Sequence, residues 1–355
     1  MCLYPIFGIN PKYKPNKKNR GKVPPITDLR LKYVPFKCGK CMECRKQKAN
    51  EWKIRLSEEL RTEFGYFVTL TFSNEEFEKL ENELGYKRDE DQNVIATIAT
   101  RRFLERVRKD TGKSLKHWFV TELGEKKDRL HLHGIIFGQK GAELCRKHWK
   151  YGGIFIGTYC NERSINYTTK YMLKQDIKHK DYTQIVLCSK GIGGNWVERK
   201  RRDGWMIKNY KEILVPKYTF RNGTQCAIPK YYKDKLFNEI QRETMWLNVL
   251  DKGELYIGGE KVKADDEKTI ENLREVYRNV GRQTFNDRPE YWDEQKAKRR
   301  YEKQRKYVLD EKRRRLRKDA AQEKELQKIA KRIKKGQEAR WRENYIFSQS
   351  SGCPF

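Results

Sequence analysis

The order of segments along this chain predicts an α+β fold, a small antiparallel sheet with helices packed on it. Three observations carry the prediction. YFVTLTF (66–72), LKHWFVTEL (115–123) and RLHLHGIIFG (129–138) are apolar runs rich in β-branched and aromatic residues, the mark of strands. The second and third are joined by GEKKD and read as an antiparallel hairpin. Helical spacings separate the first strand from that hairpin, so the order strand, helix, strand, strand, strand, helix suits helices packed on one face of the sheet.

Each element follows in turn. Residues 10–37, rich in Pro, Lys, Asn and Gly, read as an extended basic arm. Ala49, Trp52, Leu56 and Leu60 recur at three and four and predict a helix with one apolar stripe. After the strand at 66–72, Ser73-Asn74-Glu75-Glu76 supplies a cap and an acidic first turn. The acidic, polar stretch around 81–93 reads as a loop, and Ala99, Phe103 and Val107 mark the next helix. GGIFIGTY (152–159) is a further short strand, and ERSINYTTKYMLKQ (162–175) has no Gly or Pro to stop a helix.

From 181 to 235 the texture turns to short strands and turns. Gly191, Gly193 and Gly194 either bring the backbone close to a partner or simply make a turn. They fit neither a dinucleotide nor a Walker fingerprint. Residues 290–335 contain no Gly or Pro and no strict heptad, and read as a long polar helix or a partly disordered tail. Four segments result: 1–60, a basic arm with a cysteine cluster and a helix; 61–180, the core; 181–255, an extension of it; and 256–355, a charged tail.

Composition bounds the partners. The 355 residues carry a formal net charge of +31 with 36% charged residues, which points to nucleic acid first and an anionic membrane surface second. The excess sits at the ends: fifteen Lys or Arg against three acids in 1–55, twenty against nine in 291–340. No apolar run of 18 residues appears, which argues against a spanning helix. The basic start is followed by no apolar signal core, so a cytoplasmic location is expected.

Nine cysteines without a secretion signal do not look like a disulfide framework. Three of them form CGKCMEC, Cys38, Cys41 and Cys44, a spacing at which thiolates can close around zinc with Cys2 as fourth ligand. Surface thiols in a reducing compartment are the alternative.

Period two puts His131 and His133 on one side of their strand, with Ile135 and Phe137, and turns Leu132 and Ile136 to the other. A hairpin brings Glu122 near them. Two imidazoles and a carboxylate with open positions suit Mg²⁺ or Mn²⁺ when a phosphate supplies the remaining ligands. Against this stands a pair of ordinary sheet histidines; His117 is read as structural. In SINYTTKYMLK (164–174), Tyr167 and Tyr171 share a helix face, with Lys170 and Lys174 beside it. A phenol oxygen can hold a phosphoryl group covalently, and Lys170 and Lys174 would favour an anionic site. Half-buried tyrosines with lysines in water are the plainer reading. Trp118, Tyr159 and Trp196 are candidate platforms for stacked bases, or else core residues.

FVTLTF, Glu122 ahead of HLHGIIF, and Tyr167-x-x-Lys-Tyr171-x-x-Lys together resemble the HUH endonuclease superfamily. Within it the chain is similar to the replication initiation proteins of small icosahedral single-stranded DNA phages, the gokushovirus branch of the microviruses. The similarity runs over about residues 1–240 and includes Cys2, the block from Cys38 to Trp52, a Gly-Ile-Gly turn (191–193) and Pro229-x-Tyr-Tyr232. Many relatives have a proline where Leu130 stands. The resemblance implies that 61–180 is an HUH core, that His131, His133 and Glu122 hold the metal, and that Tyr167 and Tyr171 are the nucleophiles. It further implies rolling-circle replication: nicking of the viral strand at a phage origin, single-stranded and duplex DNA as partners, a host helicase and replication machinery, and the cytoplasm of an infected bacterium. Two rivals stay open: an HUH transposase or relaxase relative, and a non-catalytic zinc-containing nucleic-acid-binding protein.

Overall fold

The N-terminal arm closes on itself rather than extending. In this computed structural model, which describes residues 1–85, 88–124, 128–173, 182–204, 216–285, 287 and 316–338, β1 (Ile6–Ile9) pairs antiparallel with β2 (Tyr33–Phe36). Asparagine side chains tie the loop between them: Asn16 donates to Pro11 O at 2.7 Å and Asn19 to Lys14 O at 2.7 Å. The asparagines that made the segment read as open are what turn it back.

α1 (Met42–Leu60) leads to β3 (Gly65–Thr71) and α2 (Asn74–Leu84). Ser73 caps α2 as its sequence predicts, its hydroxyl accepting from Glu76 N–H at 3.2 Å. α2 stops at Gly85, which takes the left-handed conformation at φ 66°. α3 (Arg88–Thr111) starts three residues later, so most of 81–93 is helical and not a loop. Its glutamates are good helix formers, and the left-handed glycine is the one strong stop.

Next come β4 (His117–Leu123), β5 (Leu130–Phe137), α4 (Gly141–His148), β6 (Ile154–Tyr159), α5 (Glu162–Lys170) and β7 (Val186–Cys188). The strands form a five-stranded sheet in the order β6-β3-β5-β4-β7, every neighbour antiparallel. The predicted hairpin is there, with His117 opposite Ile136 and Leu123 opposite Leu130. Trp118, Val120, Ile135 and Phe137 bury one face against Ala49 and Leu56 of α1 and Ile165 of α5. Leu132 and Ile136 bury the other, where α3 and α4 pack. Helices thus cover both faces, not one, because the central strand is apolar on both sides.

The extension comprises α6 (Gly194–Arg202), β8 (Lys217–Thr219), β9 (Gln225–Ala227), α7 (Lys230–Leu236) and α8 (Glu239–Lys252). Trp196, Tyr218, Ile228 and Tyr232 form its core and bury Ile54 of α1. Gly193, at φ 74°, packs so closely on α1 that an added Cβ would stand 2.7 Å from Arg55 O. Its N–H donates to the buried Glu59 carboxylate at 2.6 Å and its carbonyl accepts from Tyr232 at 2.9 Å. The Gly-Ile-Gly turn and the Pro-x-Tyr-Tyr segment therefore meet, and the close approach is to α1 itself.

β10 (Glu254–Ile257), β11 (Glu260–Lys263) and α9 (Glu267–Phe285) follow. Ile257, Val262 and Ile270 close over Leu3 and the clustered cysteines, and the N-terminal amine donates to Tyr256 O at 2.8 Å. Met1–Tyr291 form one compact unit and Trp292–Phe355 a second, of which 316–338 is helical and exposed. Among the described residues no helix is long and apolar enough to cross a membrane.

Candidate active site and cysteine cluster

Antiparallel register gathers the predicted metal residues. Glu122 lies directly opposite His131, and Val120 opposite His133, so alternation turns Glu122 and both histidines to one face. On the other side of β5, Thr69 faces His133 and Thr71 faces His131. His133 is held at both nitrogens: Nε2 is 2.8 Å from Glu122 Oε2, and Nδ1 is 3.0 Å from Thr69 Oγ1. A carboxylate only accepts, so neutral His133 carries its proton on Nε2 and takes one from the Thr69 hydroxyl at Nδ1. The His131 ring lies nearly parallel to that of His133, with centroids 6.0 Å apart. Burial, and then the neighbouring His133, hold the His131 pKa below the ordinary histidine value.

α5 brings the tyrosines to this face. Asn161 caps it, accepting from Ser164 N–H at 3.0 Å, while Ile165, Thr168 and Thr169 bury its inner side. The helix ends at Lys170, and a turn carries on through Leu173, so the predicted helix is shorter than its sequence allowed. The Tyr171 ring stacks flat on His133, centroids 4.1 Å apart and 2° between planes. Its hydroxyl donates to the Tyr167 oxygen at 2.6 Å. Burial, reinforced by that bond, pushes the Tyr171 pKa above its usual value, so it stays protonated. Tyr167 is 52% exposed and stands edge-on to Phe67. Lys170 is exposed on the same helix, and Lys174 lies outside the described residues.

Other candidates sort by burial. His117 is buried, with Nδ1 3.1 Å from Leu115 O, and is structural. Trp118 and Trp196 are core residues and cannot serve as platforms, whereas Tyr159 is exposed beside Phe64.

Three contributions escape a sequence reading. Gly124 leaves room for His131: a Cβ there would stand 2.7 Å from its Cε1. Thr69 was open to discovery, since period two in FVTLTF puts it on the histidine face once the pairing is known. Arg45 had no signal. From α1 it donates to Leu173 O at 3.0 Å, just past Tyr171, and to Phe285 O at 3.1 Å. It also pairs with Asp287, whose other oxygen accepts from Met42 N–H at 2.6 Å. Asp287 thereby caps α1 from 245 residues away.

The second cluster is the four cysteines. Cys2, Cys38, Cys41 and Cys44 place their sulfurs within 4.8 Å of one another, and all four are free thiols. Cys2 and Cys41 are 4.0 Å apart and Cys38 and Cys44 3.9 Å, while backbone N–H groups of Cys38 and Cys41 point at Cys2 and Cys38 sulfurs. Such sulfurs cannot ionise independently: the S–H groups of Cys2, Cys41 and Cys44 hold Cys38 low, and Cys41 and Cys44 are pushed up in turn. Four thiols so placed can chelate a metal ion.

A family model for replication-associated proteins of the ORF2 type matches residues 65–176, from the first residue of β3 past the tyrosine helix. The replication-associated protein ORF2 of Spiroplasma virus 4 is 31% identical over 235 residues, which cover 58% of this chain and 69% of that protein. The replication-associated protein VP4 of Bdellovibrio phage phiMH2K is 28% identical over 56% of this chain and 66% of its own length. The replication-associated protein ORF4 of Chlamydia phage 1 is 24% identical, over 61% and 58%. No solved structure matches. The resemblance read from the motifs is borne out: the chain belongs to the replication-associated protein family that these viruses and phages share.

Proposed function

We propose that this chain is a rolling-circle replication initiator with an HUH endonuclease core over 61–180, which nicks one DNA strand at a phage origin and joins the ends again. The observation that carries the reading is the stack of Tyr171 on His133, which sets the tyrosine pair against the histidine–carboxylate face. Glu122, His131 and His133 fit a divalent ion: two imidazoles and a carboxylate share one partly buried face, and Glu122 already contacts His133. Mg²⁺ or Mn²⁺ bound there supplies Lewis-acid polarisation of a phosphodiester.

The chain's own groups do the rest. Tyr171 donates to the Tyr167 oxygen, so negative charge developing on Tyr167 meets a donor already in place. Tyr167, exposed and accepting, is the first nucleophile. Its oxygen forms the new bond to phosphorus, the 3′ oxygen leaves and takes up a proton, and the phenol proton goes to solvent or a neighbouring base. Lys170, and Lys174 beyond it, favour the anionic phosphate. Tyr171 then cuts the returning origin, and the free 3′ hydroxyl resolves the stored phosphotyrosine into a circle. No ATP is needed, and unwinding falls to a host helicase in the bacterial cytoplasm. The cysteine cluster holds structural zinc that fixes the start of α1.

The test is covalent adduct formation on denaturing gels, with single-stranded oligonucleotides tiling the cognate genome, in Mn²⁺ and in EDTA. Tyr167→Phe should lose the first adduct, and Tyr171→Phe should keep it but lose strand transfer. Equal adduct from wild type and the double variant would end the proposal.

A further inference from the structure

Beside the tyrosine helix lies a cavity of about 520 Å³ that the tyrosine chemistry leaves unused. Its walls are the last turn of α1, the first turn of α5 and the β8–β9 hairpin. Arg61, Arg163 and Arg221 converge on it from these three elements, and Phe220 gives it an aromatic side. Among the described residues, Glu162 is the one carboxylate in its wall. Arg61 does reach Glu58 at 3.5 Å, but that fully buried carboxylate already serves Arg199 and the Tyr218 hydroxyl at 2.5 Å. Three guanidiniums against one exposed acid make this an anion site by charge.

Size and position narrow the anion. The volume suits a nucleotide-sized group, and the edge of a rigid duplex cannot enter it. Arg163 and Tyr167 are both exposed on α5, one helical turn apart, or about 6 Å along the axis. A strand with a phosphate at the Tyr167 oxygen, continued along the helix, runs past Arg163 into the cavity. There guanidiniums can fork onto phosphate oxygens, and the half-buried Phe220 ring offers a face to a base.

We propose that this cavity binds a nucleotide flanking the scissile phosphate of single-stranded DNA, with its phosphate on Arg61, Arg163 and Arg221 and its base on Phe220. The proposal rests on the reading of α5 as the nucleophile helix. The test measures affinity on the full chain carrying Tyr167→Phe and Tyr171→Phe, so that cleavage does not consume the probe. The probe is a labelled single-stranded oligodeoxythymidine, read by fluorescence anisotropy over a range of salt.

Adding Arg163→Ala and Arg221→Ala should weaken binding roughly tenfold and flatten the plot of log affinity against log salt by about 1.4, near 0.7 for each lost phosphate contact. Arg163→Lys with Arg221→Lys should keep most of the slope. Phe220→Ala should weaken binding of oligodeoxythymidine by about fivefold and leave an abasic strand unaffected. Both arginines are exposed, so the fold is not at stake. Methylphosphonate linkages next to the mapped nick add a check that leaves the protein unaltered: neutralising the flanking phosphate should weaken wild-type binding. Unchanged affinity and slope in the arginine pair, or an equal loss on duplex DNA, would overturn the cavity assignment. The two readings fail separately. Adducts with arginine-independent binding remove the cavity, and arginine-dependent binding without adducts removes the tyrosine chemistry.

Discussion

His131 keeps its place because a neighbour has no side chain. Gly124 sits at the end of β4, and a Cβ there would come within 2.7 Å of His131 Cε1 and force the imidazole to tilt. Gly124→Ala should therefore reduce adduct formation about a hundredfold, the scale of a 1 Å misplacement, and leave the melting temperature within a few degrees of wild type. Parallel measurement of adduct rate and thermal melting checks this; equal loss of both would mark Gly124 as merely structural. The sequence was legible at this scale wherever period decided. Alternation alone put His131 and His133 side by side, and the same rule applied to FVTLTF would have added Thr69. Gly124 was not legible, because what it avoids is an atom on the next strand.

At the scale of elements, β4 carries a test in His117. Burial lowers its pKa from the ordinary 6.5. Below about pH 6.5 the unfolded chain takes up a proton that the folded chain refuses, so stability from this group is present above that pH and lost as pH falls toward the folded pKa. His117→Gln should shrink the difference in melting temperature between pH 7 and pH 5. An unchanged difference would mean that the ring is not buried neutral. The hairpin bearing His117 was plain from two apolar runs and a polar joint. The stretch 81–93 was misread because acidity alone separates neither loop from helix; the stop came from Gly85. The covering of both sheet faces was written in β5, whose Leu132 and Ile136 are as buried as Ile135 and Phe137.

For the molecule as a whole, α1 is the shared strut. It packs on the sheet through Leu56 and on the extension through Ile54, and its start lies in the cysteine cluster. Asp287 and Arg45 tie that start to the turn after Tyr171. Zinc on Cys2, Cys38, Cys41 and Cys44 would hold the N-terminus, α1 and the β10–β11 hairpin together. Chelation, or Cys44→Ser, should lower the melting temperature by about 10 °C, equivalent to a few kcal/mol at this size. Elemental analysis should find one zinc for each chain. Purified protein without zinc and insensitive to chelators would contradict that role. CGKCMEC foretold the cluster, but the ring that closes through Asp287 spans some 245 residues, a separation no local pattern reports.

The central claim is that a tyrosine of α5 becomes the covalent link to DNA. The direct measurement is mass spectrometry of the adduct after nuclease trimming and proteolysis. The account predicts a 5′-phosphonucleotide on Tyr167 after a single nick in Mn²⁺, moving to Tyr171 when Tyr167 is replaced by Phe and the site is forced. Attachment to a residue outside α5, or nicked product with a free 5′ phosphate and no linked protein, would contradict it.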